Sequence, residues 1–221
     1  MTKHLGTTIG LAISGLAFMA YPALRPWGDE SGSSGATTFG SAAWPIAHAL
    51  GMLGFVALAF ALRSATLTTP WRWTGRPTRE AESRMWFAVA MLLPYYGAEA
   101  YGLHALGDYA VTHHDARVID VADAFRYAPL PMTTFALGLL ALVLVGGRLA
   151  HGMWNTGASG RTGGLASGLG LATYLPQFFL GAEFRIAHGM VLGTGLLLLA
   201  AHTWARADAS AGQAPPQAAV G

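Results

Sequence analysis

The residues able to do chemistry in this chain are few, and they lie inside or at the ends of strongly apolar stretches. Glu99 stands about two turns before the end of one such stretch, where a carboxylate is costly unless paired, hydrated or protonated. His104 follows five positions later, about 140° round a helix. His48 and His188 each fall within the first turns of other apolar stretches, and Arg126, Glu183 and Arg185 sit at their margins. A carboxylate and imidazoles gathered at one depth suit general acid and base work. We therefore expect Glu99, His104 and His188 to be the proton-handling groups. Around them, His48, Tyr95, Tyr96, Tyr101, Arg126, Gln177, Glu183 and Arg185 are expected to bind a ligand, the tyrosines shaping an apolar pocket that tolerates positive charge.

Those residues need a scaffold, and composition limits which kind. The 221 residues are 53% hydrophobic and only 11% charged, against roughly 25% charged in soluble domains. Six apolar stretches of membrane-spanning length, together with the short connections between them, account for nearly the whole chain: residues 5–23, 42–62, 85–106, 131–149, 164–182 and 186–205. The expected fold is all-α, a polytopic bundle of six transmembrane helices. The first stretch follows a lysine, as a secretory signal would. Bulky Phe18, Met19 and Tyr21, with Pro22, stand where a peptidase needs small residues, so it reads as a retained helix.

Basic residues set the expected orientation. Arg63, Arg72, Arg76, Arg79 and Arg84 crowd the connection after the second stretch, and placing it in the cytoplasm puts Lys3, Arg148, Arg161 and Arg206 there too. Both termini are then cytoplasmic, the location is the plasma membrane, and the Glu and His residues lie toward the outer leaflet. Trp71 and Trp73 would mark the inner interface, Trp27 and Trp44 the outer one. Residues 29–36 read as a flexible outer loop, and 207–221 as a disordered cytoplasmic tail. Between Asp115 and Tyr127, Val118, Ile119, Ala122 and Phe125 recur at helical spacing opposite Asp120 and Asp123, predicting a short extracytoplasmic amphipathic helix.

Small residues four apart, at Gly6, Gly10 and Ser14, at Gly164 and Gly168, and at Gly189 and Gly193, predict close helix packing within the bundle. Pro94 and Pro176 fall inside the third and fifth stretches and are expected to kink them.

Several classes of function drop out. Cysteine is absent, which excludes disulfides and thiolate chemistry, and the twelve arginines and one lysine are spread over several connections, which argues against nucleic acid as a partner. No Gly-x-Ser-x-Gly elbow, phosphate-binding Walker loop, His-Glu-x-x-His helix or dinucleotide fingerprint is present. No dedicated metal site is expected. Membrane lipids and a small lipophilic, isoprenoid-like or lipid-like molecule are the expected partners, the molecule being bound and converted by acid–base chemistry at the Glu/His pocket. The first alternative is a membrane electron carrier holding haem b between two of His48, His104 and His188. A transporter or scaffold without catalysis is the second.

Overall fold

A computed structural model describes residues 4–67 and 76–212. Among these residues the regular structure is all helical, with no strand. The α-helices are α1 (Leu5–Leu24), α2 (Gly32–Gly40), α3 (Ala43–Leu67), α4 (Arg76–Gly97), α5 (Leu103–His113), α6 (Val121–Arg126), α7 (Pro129–Met153), α8 (Ala158–Ala172) and α9 (Ala182–Gly212). A π-helical turn, Ala98–Gly102, joins α4 to α5, and 3-10 turns occupy Ala116–Asp120 and Pro176–Phe179.

Six of these helices close a ring, each packed against the next in the order α1, α3, α4, α7, α8, α9 and back to α1. The ring is tight because small residues face each other at its seams. Ser14 Oγ donates to the Gly54 carbonyl at 2.8 Å between α1 and α3, and a Cβ on Gly10 would meet the Ala57 carbonyl at 3.1 Å. On the other flank of α1, a Cβ at Gly193 would stand 2.5 Å from the Gly15 carbonyl, and between α7 and α8 a Cβ at Gly168 would stand 2.7 Å from the Gly146 carbonyl. The small faces at Gly6, Gly164 and Gly189 are likewise used within the chain, against Ser64, Met153 and Phe18.

Four helices, α1, α3, α7 and the Ala182–Ala209 part of α9, are long and apolar enough to cross a membrane. The chain is thus an all-helical, membrane-embedded protein. The third and fifth predicted stretches come out differently. The third begins earlier, because α4 opens with the charged run from Arg76 to Arg84, and it runs on without a break through the π turn into α5. That continuous helix is roughly 55 Å long at about 1.5 Å per residue, well beyond a hydrocarbon core of about 30 Å. The fifth is interrupted. Helix α8 starts at Ala158 and stops at Ala172, and Pro176 opens a 3-10 turn in place of kinking a longer helix.

The far end of the long helix carries a cap. Here α2, α5, the 3-10 turn Ala116–Asp120 and α6 share a small core of Phe39, Trp44, Leu103, Ala110, Ile119 and Ala122. Residues 29–36, predicted as a loop, therefore contribute to a helix. Nothing local favours helix in Gly-Ser-Ser-Gly-Ala-Thr-Thr; burial of Ala36 and Phe39 against α5 outweighs that weak propensity. The predicted amphipathic helix forms as a 3-10 turn followed by α6, with Ile119 and Ala122 buried and Asp120 and Asp123 exposed. At the other terminus α9 continues to Gly212, so 207–212 are helical and not a disordered tail, as the alanines there permit; the remainder of that tail, and Lys3, Trp71, Arg72 and Trp73, lie outside the described residues.

Candidate functional site

Where the cap meets the ring there is a cavity of about 240 Å³. Its polar wall is made by Arg25, Glu30, His48, Glu99, Arg126 and Arg185, and its remaining wall by Tyr21, Tyr95, Tyr96, Tyr127, Phe135 and Phe178. No two neighbours in sequence supply the carboxylates and guanidiniums. Arg25 ends α1, Glu30 precedes α2, Glu99 lies in the π turn, Arg126 ends α6, and Arg185 lies in the first turns of α9.

Glu99 is presented by the π turn. The wider turn, in which the Leu103 N–H donates to the Ala98 carbonyl, makes room for a side-chain donor at the next carbonyl, and Trp44 Nε1 donates to the Glu99 carbonyl at 2.7 Å. Such turns are frequent at functional sites. The Glu99 carboxylate, on a residue only 8% exposed, accepts both arms of Arg126, Nε to Oε1 at 2.6 Å and Nη2 to Oε2 at 2.8 Å. Nη1 of Arg126 pairs with Glu30 Oε2 at 2.8 Å, while Glu30 Oε1 accepts from Arg25 Nη2. One guanidinium thus bridges two carboxylates from different elements, and a second closes the chain.

Burial alone would raise the Glu30 carboxyl, but the Arg25 and Arg126 guanidiniums outweigh it and hold it below its ordinary value of 4.5. Burial likewise pulls the Arg126 guanidinium down, and its hydrogen bonds to Glu99 more than reverse this, leaving it raised. A carboxyl whose pKa is depressed on folding contributes stability that is complete above its unfolded value and is lost as pH falls through its folded value. The thermal midpoint should therefore fall with acidification below about pH 4.5, and Glu30→Gln should lower the neutral-pH midpoint while flattening that acid limb. Melting curves from pH 3 to 7 test this, and parallel curves for the two proteins would refute it.

His48 is 3% exposed and stands among the rings of Trp44, Tyr21 and Tyr96, with centroids at 4.5, 5.4 and 6.2 Å. Its Nδ1 is 2.8 Å from the Trp44 carbonyl, which accepts the ring N–H there and leaves Nε2 as the basic nitrogen. Deeper in, Tyr96 and Tyr174 share a hydroxyl–hydroxyl bond of 3.1 Å. Arg185 donates from Nε to the Leu180 carbonyl at 3.0 Å and from Nη2 to the Phe178 carbonyl. Its guanidinium and that of Arg25 both lie against Trp27, 5.3 and 4.5 Å from the ring centre.

Among the residues expected from sequence, His48, Tyr95, Tyr96, Glu99, Arg126 and Arg185 meet at this cavity. His104 and His188 do not line it. His104 is used to pin the cap, its Nδ1 2.8 Å from the Phe39 carbonyl, and His188 places Nε2 2.8 Å from the Gly170 carbonyl and its ring edge-on to Tyr174. Gln177 is buried beside His188 at a separate small gap, Tyr101 is 60% exposed, and Glu183 is exposed next to Gly181. Since the three imidazoles do not share the cavity, and two of them are bonded to backbone carbonyls elsewhere, the arrangement does not fit axial ligation of one haem. No group of three metal-ligating side chains occurs among the described residues.

Sequence reasoning missed Arg25, Glu30, Tyr21, Tyr127, Phe135 and Phe178. The one available signal was the pairing of Arg25 with Glu30 five positions on, beside Trp27. Comparison of the chain with models of known families, with curated proteins and with solved structures finds no match in any of the three, so the function of this site is read from its own geometry.

Proposed function

We propose that this is a six-span membrane protein that binds a small lipophilic molecule in the cavity between the ring and the cap. The observation that carries the reading is the cavity itself, a polar Arg/Glu/His wall facing an aromatic one beneath the end of a lipid-embedded ring. Helices α4 and α8 complete the ring between apolar neighbours, which supports six crossings over four. The arginines at Arg63, Arg84, Arg148, Arg161 and Arg206 gather at the opposite end, which supports a cytoplasmic face there, an extracytoplasmic cap and a plasma-membrane location.

Any conversion of the ligand falls to His48 more readily than to Glu99. Both Glu99 oxygens are engaged by Arg126, which makes the carboxylate a structural and electrostatic element of the wall with no lone oxygen for a ligand. His48 keeps Nε2 available as a base, with its other nitrogen oriented by the Trp44 carbonyl.

Solvent extraction of the purified protein, followed by mass spectrometry, should recover a retained lipophilic molecule. Phe135→Trp, which fills cavity volume, should cut its retention at least tenfold. His48→Asn, which keeps the N–H toward Trp44 but cannot take a proton, should leave retention intact and change the chemical form recovered if His48 does chemistry. Extracts that match a detergent blank, with retention indifferent to Phe135→Trp, would favour the scaffold instead.

A further inference from the structure

We propose that the cavity selects an amphipathic monoanion, with Arg185 as the anchor of its charged end; this rests on the reading of the cavity as a ligand site. Three guanidiniums, Arg25, Arg126 and Arg185, line one small space with two carboxylates, Glu30 and Glu99. All four carboxylate oxygens are already committed. Glu99 gives both to Arg126, and Glu30 divides its pair between Arg126 and Arg25. No carboxylate pairs with Arg185 among the described residues, which hold every acidic residue of the chain.

One positive charge is therefore in excess at the half-buried Arg185, where no carboxylate of the chain offsets it. The chain offers it partial compensation only. Backbone carbonyls of Leu180 and Phe178 take Nε–H and one Nη2 hydrogen of Arg185, and the face of Trp27 lies 5.3 Å away. The two carbonyls fix the fork in place and leave its remaining donors for a ligand, which is the geometry that binds a planar carboxylate or a phosphate oxygen pair. Tyr95, Phe135 and Phe178 then enclose an apolar body. The rings stack as a platform, Tyr95 on Phe135 at 4.2 Å between centroids, with Phe178 5.7 Å from Phe135.

The anion has two sources, a free amphipathic acid or the headgroup of an anionic lipid, and one experiment separates them. The full-length protein is reconstituted in phosphatidylcholine nanodiscs and titrated with 3-phenylpropanoate and with its neutral amide, following tryptophan fluorescence and thermal midpoint. A second preparation replaces part of the phosphatidylcholine with phosphatidylglycerol. We expect the acid to bind at least tenfold more tightly than the amide, Arg185→Gln to abolish that preference and Arg185→Lys to keep part of it. If neither probe binds but phosphatidylglycerol raises the midpoint in an Arg185-dependent way, the anion site stands with a headgroup as its source. Equal binding of acid and amide overturns the anion proposal while leaving a ligand cavity. Absence of any preference for the acid or for the anionic lipid in the wild-type protein overturns it as well, and that comparison holds even where Arg185→Gln fails to fold. Retention of a neutral lipid in the extraction experiment, together with no anion preference, refutes the charge selection alone; retention of nothing refutes the cavity reading itself.

Discussion

Glu99→Ala is expected to cost about 3–5 kcal/mol of stability, the range for removing one partner of a buried ion pair. The substitution leaves Arg126, whose side chain is 14% exposed, with only Glu30 Oε2 at 2.8 Å, on a carboxylate already shared with Arg25. Arg126→Ala should cost as much for the mirrored reason, since it strands Glu99 beside an apolar core. Because Arg126 belongs to the cap and Glu99 to the long helix of the ring, both variants should also loosen the cap, seen as faster hydrogen exchange across Gly32–Gly40 and Val121–Arg126. The double variant Glu99→Leu, Arg126→Leu should recover most of the lost stability, because two apolar side chains replace a desolvated pair, yet it should retain no ligand. Equilibrium unfolding in mixed micelles, combined with the extraction assay, tests both halves. Single variants costing less than 1 kcal/mol would show the pair to be solvated and the cap to be held by other means.

A methyl group at Gly107 should be nearly as damaging. Its Cβ would stand 2.3 Å from the Gly40 nitrogen and 2.7 Å from the Phe39 carbonyl carbon, both backbone atoms with no rotamer to yield. Helix α2 must then move away from α5, at a cost near the upper end of the roughly 1–3 kcal/mol seen for overpacked cores. The displacement carries the Phe39 carbonyl away from His104 Nδ1, now 2.8 Å distant, and the Phe39 ring away from the Arg126 guanidinium, 5.2 Å from its centre. Ligand retention should therefore fall along with stability. Gly97→Ala is the control, since its Cβ would meet nothing within 4 Å, and the better helix former should gain up to about 1 kcal/mol. Equal midpoints for Gly107→Ala and the wild-type protein would show that the cap is not seated as described.

Much of the ring was legible because its causes are local. A run of apolar residues long enough to span a membrane is a property of the chain itself, and so is the small-residue spacing that lets α1 approach α3 and α9. Glu99 was conspicuous for the same reason, as a carboxylate inside such a run. The third and fifth stretches were misjudged where local signals compete. Charges at the start of α4 hid how early the helix begins, and apolar Leu175, Phe178, Phe179 and Leu180 disguised a 3-10 turn as a continuing span.

The composition and patterning of this chain determined by themselves that it is helical, apolar enough to enter a membrane, and polar at one set of helix ends. Tertiary structure alone decided which of those polar groups are idle and which are gathered. His104 and His188 looked as promising as His48, yet their nitrogens reach backbone carbonyls on other helices, Phe39 on α2 and Gly170 on α8, which only the packing brings near. Glu30 had only Arg25, five positions before it, as a local signal, and it joins the cavity because Phe39 and Ile119 bury α2 within the cap and hold its carboxylate between two arginines from other elements. A residue's type sets what it would do with a proton or a charge. Its partners come from segments tens of residues away, and the free energy that brings them together is that of the whole packed ring and cap.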